Sequence, residues 1–194
     1  DENLPEEINR KIVDHISDVN LSYSEHARRY LLAEGVKPQQ TYVVGSPMRE
    51  VISAHMKSIE RSTVLQALNL KPRKYFLLSA HREENIDNEK NFRSLMESIN
   101  YIAEFYDLPV IYSLHPRSEK FINQRGFNFH PNVKKLRPFG FFDYIKLQES
   151  AKCVISDSGT LAEESALLHF PAVSLRTSTE RPEALDKGAF VIGG

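Results

Sequence analysis

Cysteine is nearly absent from this 194-residue chain: only Cys153 occurs, inside an apolar run. A disulfide within the chain is thereby excluded, a cysteine-based zinc cluster has no ligands to draw on, and a reducing cytoplasm fits. Net charge is also nearly absent, at −1. That removes bulk attraction to nucleic acid or to an anionic membrane, while leaving room for a local cationic pocket. No run approaches the ~20 apolar residues that a bilayer span needs, and no leader-like segment opens the chain at Asp1. Three signatures are missing as well. There is no G-x-G-x-x-G for a dinucleotide turn, no G-x-x-x-x-G-K-[ST] for a P-loop and no G-x-S-x-G nucleophile elbow. His15, His26, His55, His130 and His169 show no ligand spacing, so they read as structural or surface residues and no metal is expected. Internal repeats and low-complexity tracts are lacking too.

What is present is a globular balance of 41% hydrophobic and 26% charged residues. The first ~40 residues read as helical. Pro5 suits a first turn, and Ile8, Ile12, Val13 and Ile16 recur at helical spacing. A second helix is expected over 24–34, stopped by Gly35 and Pro38, with a short strand within 19–23 between the two. From Thr41 onward, short apolar runs fall at 42–44, 75–79, 110–113, 133–136, 153–156, 172–175 and 190–192. Helix-length segments at 47–58, 62–68, 89–105, 117–125, 141–149 and 160–168 separate most of them. Apolar strands alternating with amphipathic helices predict a Rossmann-like, doubly wound parallel sheet of the α/β class. The expected division is a helical tail over residues 1–40, left from an otherwise missing N-terminal domain. The Rossmann-like domain would occupy 41–194 and lack its closing helices.

Three segments carry candidate chemistry. Ser156-Asp157-Ser158-Gly159-Thr160, followed by Glu163 and Glu164, leaves a buried strand and opens a helix. Backbone N–H groups and the helix dipole favour an anion there. Gly159 allows close approach of a phosphate and Ser158 adds a donor. Glu164, one turn in, can accept both hydroxyls of a ribose. Thr160 and Glu163 also match a capping box, a purely structural role. The second segment, Thr179-Glu180-Arg181-Pro182-Glu183, puts Arg181 just before an N1 proline. Its guanidinium can clamp a diphosphate bidentately or sit in a surface ion pair, and Arg176 is a second choice. The third, His81-Arg82-Glu83-Glu84-Asn85, places a histidine at a strand end. There it could contact phosphate, transfer protons or simply hold structure.

In order and spacing these segments resemble the motifs of the non-hydrolysing UDP-N-acetylglucosamine 2-epimerases. Pro5-Glu6-Glu7-Ile8-Asn9-Arg10 resembles that family's Pro-Glu-Glu-x-Asn-Arg segment, and Gly45-Ser46-Pro47 its hinge. The resemblance spans nearly the whole chain. It implies the C-terminal portion of a glycosyltransferase-B-like two-domain fold, an isomerase working without a cofactor, a UDP-sugar substrate, and a homodimeric, cytoplasmic full-length protein. It further implies epimerisation at C2 of a UDP-N-acetylhexosamine. UDP departs and re-adds through a 2-acetamidoglycal, in the synthesis of bacterial surface polysaccharide such as capsule or O-antigen.

By the same resemblance, Glu6 stands for a catalytic carboxylate, Arg10 for its neighbouring arginine and His81 for the cleft histidine near the diphosphate. Ser158, Gly159 and Thr160 stand for the phosphate loop, with threonine where the family commonly has glycine. Glu164 stands for the ribose ligand, Arg181 for a phosphate or active-site ligand, Tyr144 for the aromatic beside uracil and His115 for a cleft or effector-site residue. Short segments such as Asp14-His15-Ile16-Ser17-Asp18 look closest to a branch that inverts C2 of UDP-2-acetamido-2,6-dideoxy-L-talose. The family's other catalytic acids would precede Asp1, so these residues alone are expected to be inactive. Two other readings stay open: the donor domain of a glycosyltransferase of the same architecture, and a non-catalytic UDP-sugar-binding module.

Overall fold

The computed structural model describes residues 5–176, 188 and 190–193, with residues 5 and 6 through their backbone only. The chain divides into two compact units, Asp1–Arg49 and Glu50–Gly194, with the break inside helix α3 (Met48–Glu60). Among the described residues no helix is long and apolar enough to cross a membrane.

In the first unit, α1 (Pro5–Ile16), β1 (Asn20–Ser22), α2 (Glu25–Ala33), a 3-10 turn (Pro38–Gln40) and β2 (Thr41–Val43) follow one another. The Ser24 hydroxyl caps α2 by accepting the Ala27 N–H at 3.2 Å. Gly35, at φ +97°, then takes the left-handed turn that ends the helix. β1 and β2 pair in parallel, with Leu21 opposite Tyr42. Arg10 ties the helices together: its guanidinium binds Glu7 at 2.7 Å and Glu34 at 2.8 Å and also reaches Asp14. The boundary expected at residues 40/41 therefore lies one strand too early. The run 42–44, expected as the first strand of the second domain, is observed as Thr41–Val43 and is hydrogen-bonded to β1 instead. Alternation announces a strand but carries no information about its partner. Leu21, Tyr42 and Val44 stay exposed, as do Ile8, Ile12 and Ile16 on α1.

The second unit continues with α4 (Val64–Ala67), β3 (Phe76–Ser79), α5 (Glu83–Ile86), α6 (Glu89–Tyr106), β4 (Val110–Ser113), α7 (Pro116–Arg125), β5 (Val133–Leu136), α8 (Phe141–Ser150), β6 (Cys153–Ser156), α9 (Leu161–Leu168), β7 (Ala172–Ser174) and β8 (Val191–Ile192). The strands are all parallel, in the order β5-β4-β3-β6-β7-β8. Counted from β3 as first, that is 3-2-1-4-5-6, the doubly wound Rossmann order.

The period-2 geometry of the strands explains their unbroken apolar runs. Phe76, Leu78, Val110, Tyr112 and Ile155 face one layer, with Phe92, Met96 and Ile99 of α6 and Ile122 of α7. Tyr75, Leu77, Ile111 and Val154 face the other, with Leu147 of α8 and Leu161 of α9. Both faces are buried, so nearly every strand residue must be apolar. Each fully buried Leu or Ile contributes ~1.5–3 kcal/mol.

Candidate functional site

The strand order reverses between β3 and β6. Connections leave these two neighbours in opposite directions and open a crevice at their carboxyl ends. Residues 80–82 enter it after β3, and residues 157–160 after β6.

Asp157 joins the two loops. It is fully buried, and its Oδ2 accepts the backbone N–H of His81 and of Arg82, each at 2.8 Å, and the Asn85 amide at 3.2 Å. Its Oδ1 lies 3.1 Å from Nδ1 of His81. Asn85 also donates to the Leu175 carbonyl at 2.9 Å, and the Arg82 guanidinium to the Asp157 carbonyl at 3.1 Å. Burial opposes the charge on Asp157. The His81 ring and the N–H groups of Arg82 and His81 outweigh it and hold the carboxyl below the usual aspartate range. The same bond raises the His81 pKa against a smaller opposing effect of burial. Nδ1 is thus occupied, on a ring that stays half-exposed. The His115 ring stands 5.7 Å away, centroid to centroid. It caps α7, accepting the Arg117 N–H at 3.2 Å.

The β6–α9 turn is held by short-range bonds at Ser158. Ser158 N–H bonds the Ser156 hydroxyl at 3.1 Å, and the Ser158 and Thr160 hydroxyls are 3.0 Å apart. Among the described residues, the backbone N–H groups of Gly159 and Thr160 donate no hydrogen bond. Ser158, Gly159, Ala162, Ser174 and the buried Arg176 line a shallow hollow here. Backbone N–H groups of this kind at a helix N-terminus favour an oxyanion. The expected capping box does not form. Thr160 sits in a helical conformation and caps nothing, because its hydroxyl turns to Ser158 and Glu164.

On α9, Glu164 is buried, with Oε2 accepting the Gln148 amide at 2.6 Å. Burial raises its pKa, and the bonds from Gln148 and Thr160 offset part of that rise. Tyr144, one turn before Gln148 on α8, is half-buried. Burial, with Glu164 nearby, pushes its phenol up to about 12, and Ser79 and Ser156 hydrogen-bond its side chain. Its hydroxyl is thus turned to the strand ends.

The fold therefore brings His81, His115, Ser158, Gly159, Thr160, Glu164 and Tyr144 to one carboxyl edge. Arg10 belongs to the first unit, held among carboxylates. The Glu6 side chain and the whole of Arg181 lie outside the described residues. Sequence reasoning missed Asp157 and Gln148 as site residues. Gln148 does carry a signal, since it falls four residues after Tyr144 on one helix face. Asp157 stood inside a flagged motif, but its partners lie more than 70 residues away.

The family model for UDP-N-acetylglucosamine 2-epimerase matches residues 1–194. A UDP-N-acetylglucosamine 2-epimerase of Methanocaldococcus jannaschii is 34% identical over 203 residues, covering 100% of this chain and 55% of its own length. A solved UDP-N-acetylglucosamine 2-epimerase of Rickettsia bellii is 40% identical with a TM-score of 0.87, covering all of this chain and 52% of that one. The M. jannaschii enzyme in complex with UDP-GlcNAc and UDP superposes with a TM-score of 0.90 at 35% identity, with 55% of its chain covered. The chain spans about half the length of the curated relatives it matches.

Proposed function

Because this chain belongs to the UDP-N-acetylglucosamine 2-epimerase family, we propose that its second unit grips the UDP of a UDP-N-acetylhexosamine while C2 of the sugar is inverted. The observation that carries this is the turn of Ser158, Gly159 and Thr160 beside the Asp157-anchored His81, at the sheet's switch point. The M. jannaschii relative solved with UDP-GlcNAc and UDP supports it.

In the proposed reaction a base takes the proton from C2. The C–H electron pair becomes the C1=C2 bond of a 2-acetamidoglycal. The C1–O pair leaves on the β-phosphate oxygen of UDP. Re-addition of UDP to C1 and of a proton to the other face of C2 completes the inversion. Charge develops on the departing diphosphate, where the N–H groups of Gly159 and Thr160, the Ser158 hydroxyl, protonated His81 and the Arg181 guanidinium act as donors. Glu164 accepts the ribose hydroxyls. Tyr144 and His115 border the same edge, Tyr144 on the nucleoside side. Glu6 supplies a catalytic carboxylate, and Arg10 keeps its helix in register through Glu7, Asp14 and Glu34. A complete catalytic set requires the rest of a protein of the relatives' length. These 194 residues by themselves bind UDP and turn over no substrate. At the relatives' length, the proposed enzyme works as a cytoplasmic homodimer serving surface polysaccharide synthesis.

Calorimetry with UDP tests the nucleotide site. Glu164→Ala and Arg181→Ala should each weaken binding by ~1.5–3 kcal/mol, one charge-assisted hydrogen bond apiece, without loss of fold. UDP binding indifferent to both changes would overturn the assignment.

A further inference from the structure

Gln148 is 1% exposed, yet it is polar, and the other buried side chains of α8 are Ile145 and Leu147. Its amide N–H makes one strong contact, 2.6 Å to Oε2 of Glu164. Its Oε1 is buried and has no hydrogen-bond partner among the described residues. A buried amide with an unmet acceptor is a net burden on folding, and an aliphatic side chain of the same shape would pack there more favourably. What Gln148 offers is an N–H aimed at one carboxylate. A carboxylate has about four lone-pair positions, so the Gln148 and Thr160 contacts leave acceptor capacity for a ligand. The donor contact also opposes protonation of a carboxylate that burial would otherwise neutralise, and a protonated Glu164 would present a donor in place of one acceptor.

We propose that Gln148 is a positioning residue for nucleotide recognition: its amide holds the Glu164 carboxylate as a fixed acceptor, and the chain thereby selects a ribose carrying free hydroxyls. This deepens, and rests on, the assignment of Glu164 as ribose ligand.

The test compares UDP with 2′,3′-dideoxy-UDP by calorimetry on the full chain, unmodified and as Gln148→Met. The unmodified chain should prefer UDP by roughly tenfold or more, the weight of one charge-assisted hydrogen bond. Gln148→Met should lose most of that preference while keeping its affinity for the dideoxy nucleotide, which a purely structural role would not produce. No preference in the unmodified chain would sink the Glu164 assignment itself. A preference that survives in a folded Gln148→Met protein would overturn the positioning role alone. Equal weakening of both nucleotides would do the same, since it marks a general effect on the fold. Should Gln148→Met fail to give the native circular dichroism spectrum, Gln148→Leu is measured in its place. If neither variant folds, Gln148 is structural and the proposal is wrong.

Discussion

Replacing Asp157 by Asn keeps the side chain's shape and removes its charge, and the consequences can be worked from the geometry. Oδ2 receives two backbone N–H groups at 2.8 Å and the Asn85 amide at 3.2 Å. Hydrogen bonds to a charged acceptor contribute ~1.5–3 kcal/mol, and neutral ones ~0.5–1.5. Losing the charge costs ~1–1.5 kcal/mol per bond, so three such bonds predict a destabilisation of ~3–4.5 kcal/mol. Ala, which strands buried donors altogether, should cost ~3–5 kcal/mol. The carboxamide also faces Nδ1 of His81, where the amide N–H2 needs a lone pair and not a proton. The His81 pKa should fall from its raised value to the ordinary histidine range or below.

The pH profile follows from the directions of the two shifts. His81 is raised in the fold, so its contribution is complete below about 6.5 and fades as pH climbs through its folded value. Asp157 is lowered, so its contribution is complete above about 3.9 and fades as pH falls through its folded value. Stability should therefore plateau between these limits, and Asp157→Asn should flatten both flanks. Urea unfolding followed by circular dichroism measures the stability, and a histidine NMR titration measures the pKa. An Asp157→Asn protein with unchanged unfolding midpoint and unchanged His81 titration would refute this account of the loop.

Other outcomes are expected. Leu77→Ala, at a fully buried position in the sheet centre, should lose about 2–5 kcal/mol in chemical unfolding. His169 ends α9 at φ +57° with its side chain exposed, so His169→Gly should raise the unfolding free energy by about 0.5–1 kcal/mol. Ser158→Ala should weaken UDP binding by about 1 kcal/mol in calorimetry, without altering the thermal midpoint of the unliganded chain.

Much of the second unit was legible because both faces of its sheet are covered. All six runs of the second unit, 75–79, 110–113, 133–136, 153–156, 172–175 and 190–192, were readable to within a residue; burial on two sides leaves the central strands little choice but continuous apolar character, whereas β5 keeps Lys134 and Lys135 exposed. The short α5 was not legible. Its sequence is acidic and brief, and tertiary contacts position it. Arg117 binds Glu83 at 2.7 Å and Asp87 at 2.6 Å, and Arg125 donates to the Ile86 carbonyl at 2.6 Å. The capping box failed for a related reason. The pattern Thr160-x-x-Glu163 specifies a local option, and the neighbouring Ser158 and Glu164 offered the threonine hydroxyl a different one. The strand-end position of His81, Ser158 and Gly159, by contrast, was legible, because a polar, glycine-bearing turn directly after a buried strand has few other places to go. Their supports, Asp157 and Gln148, escaped because each acts through a residue remote in sequence or on another helix.

The brace of Arg117 and Arg125 has a further consequence. It pins the segment behind the histidine from the far side, through α7, while Asp157 pins it from the near side. A surface-charge redesign of α7 that leaves every ligand-facing atom alone should therefore still retune the imidazole's aim. Salt in the buffer should exert a milder version of the same influence, because the two exposed arms of Arg117 are open to ionic screening.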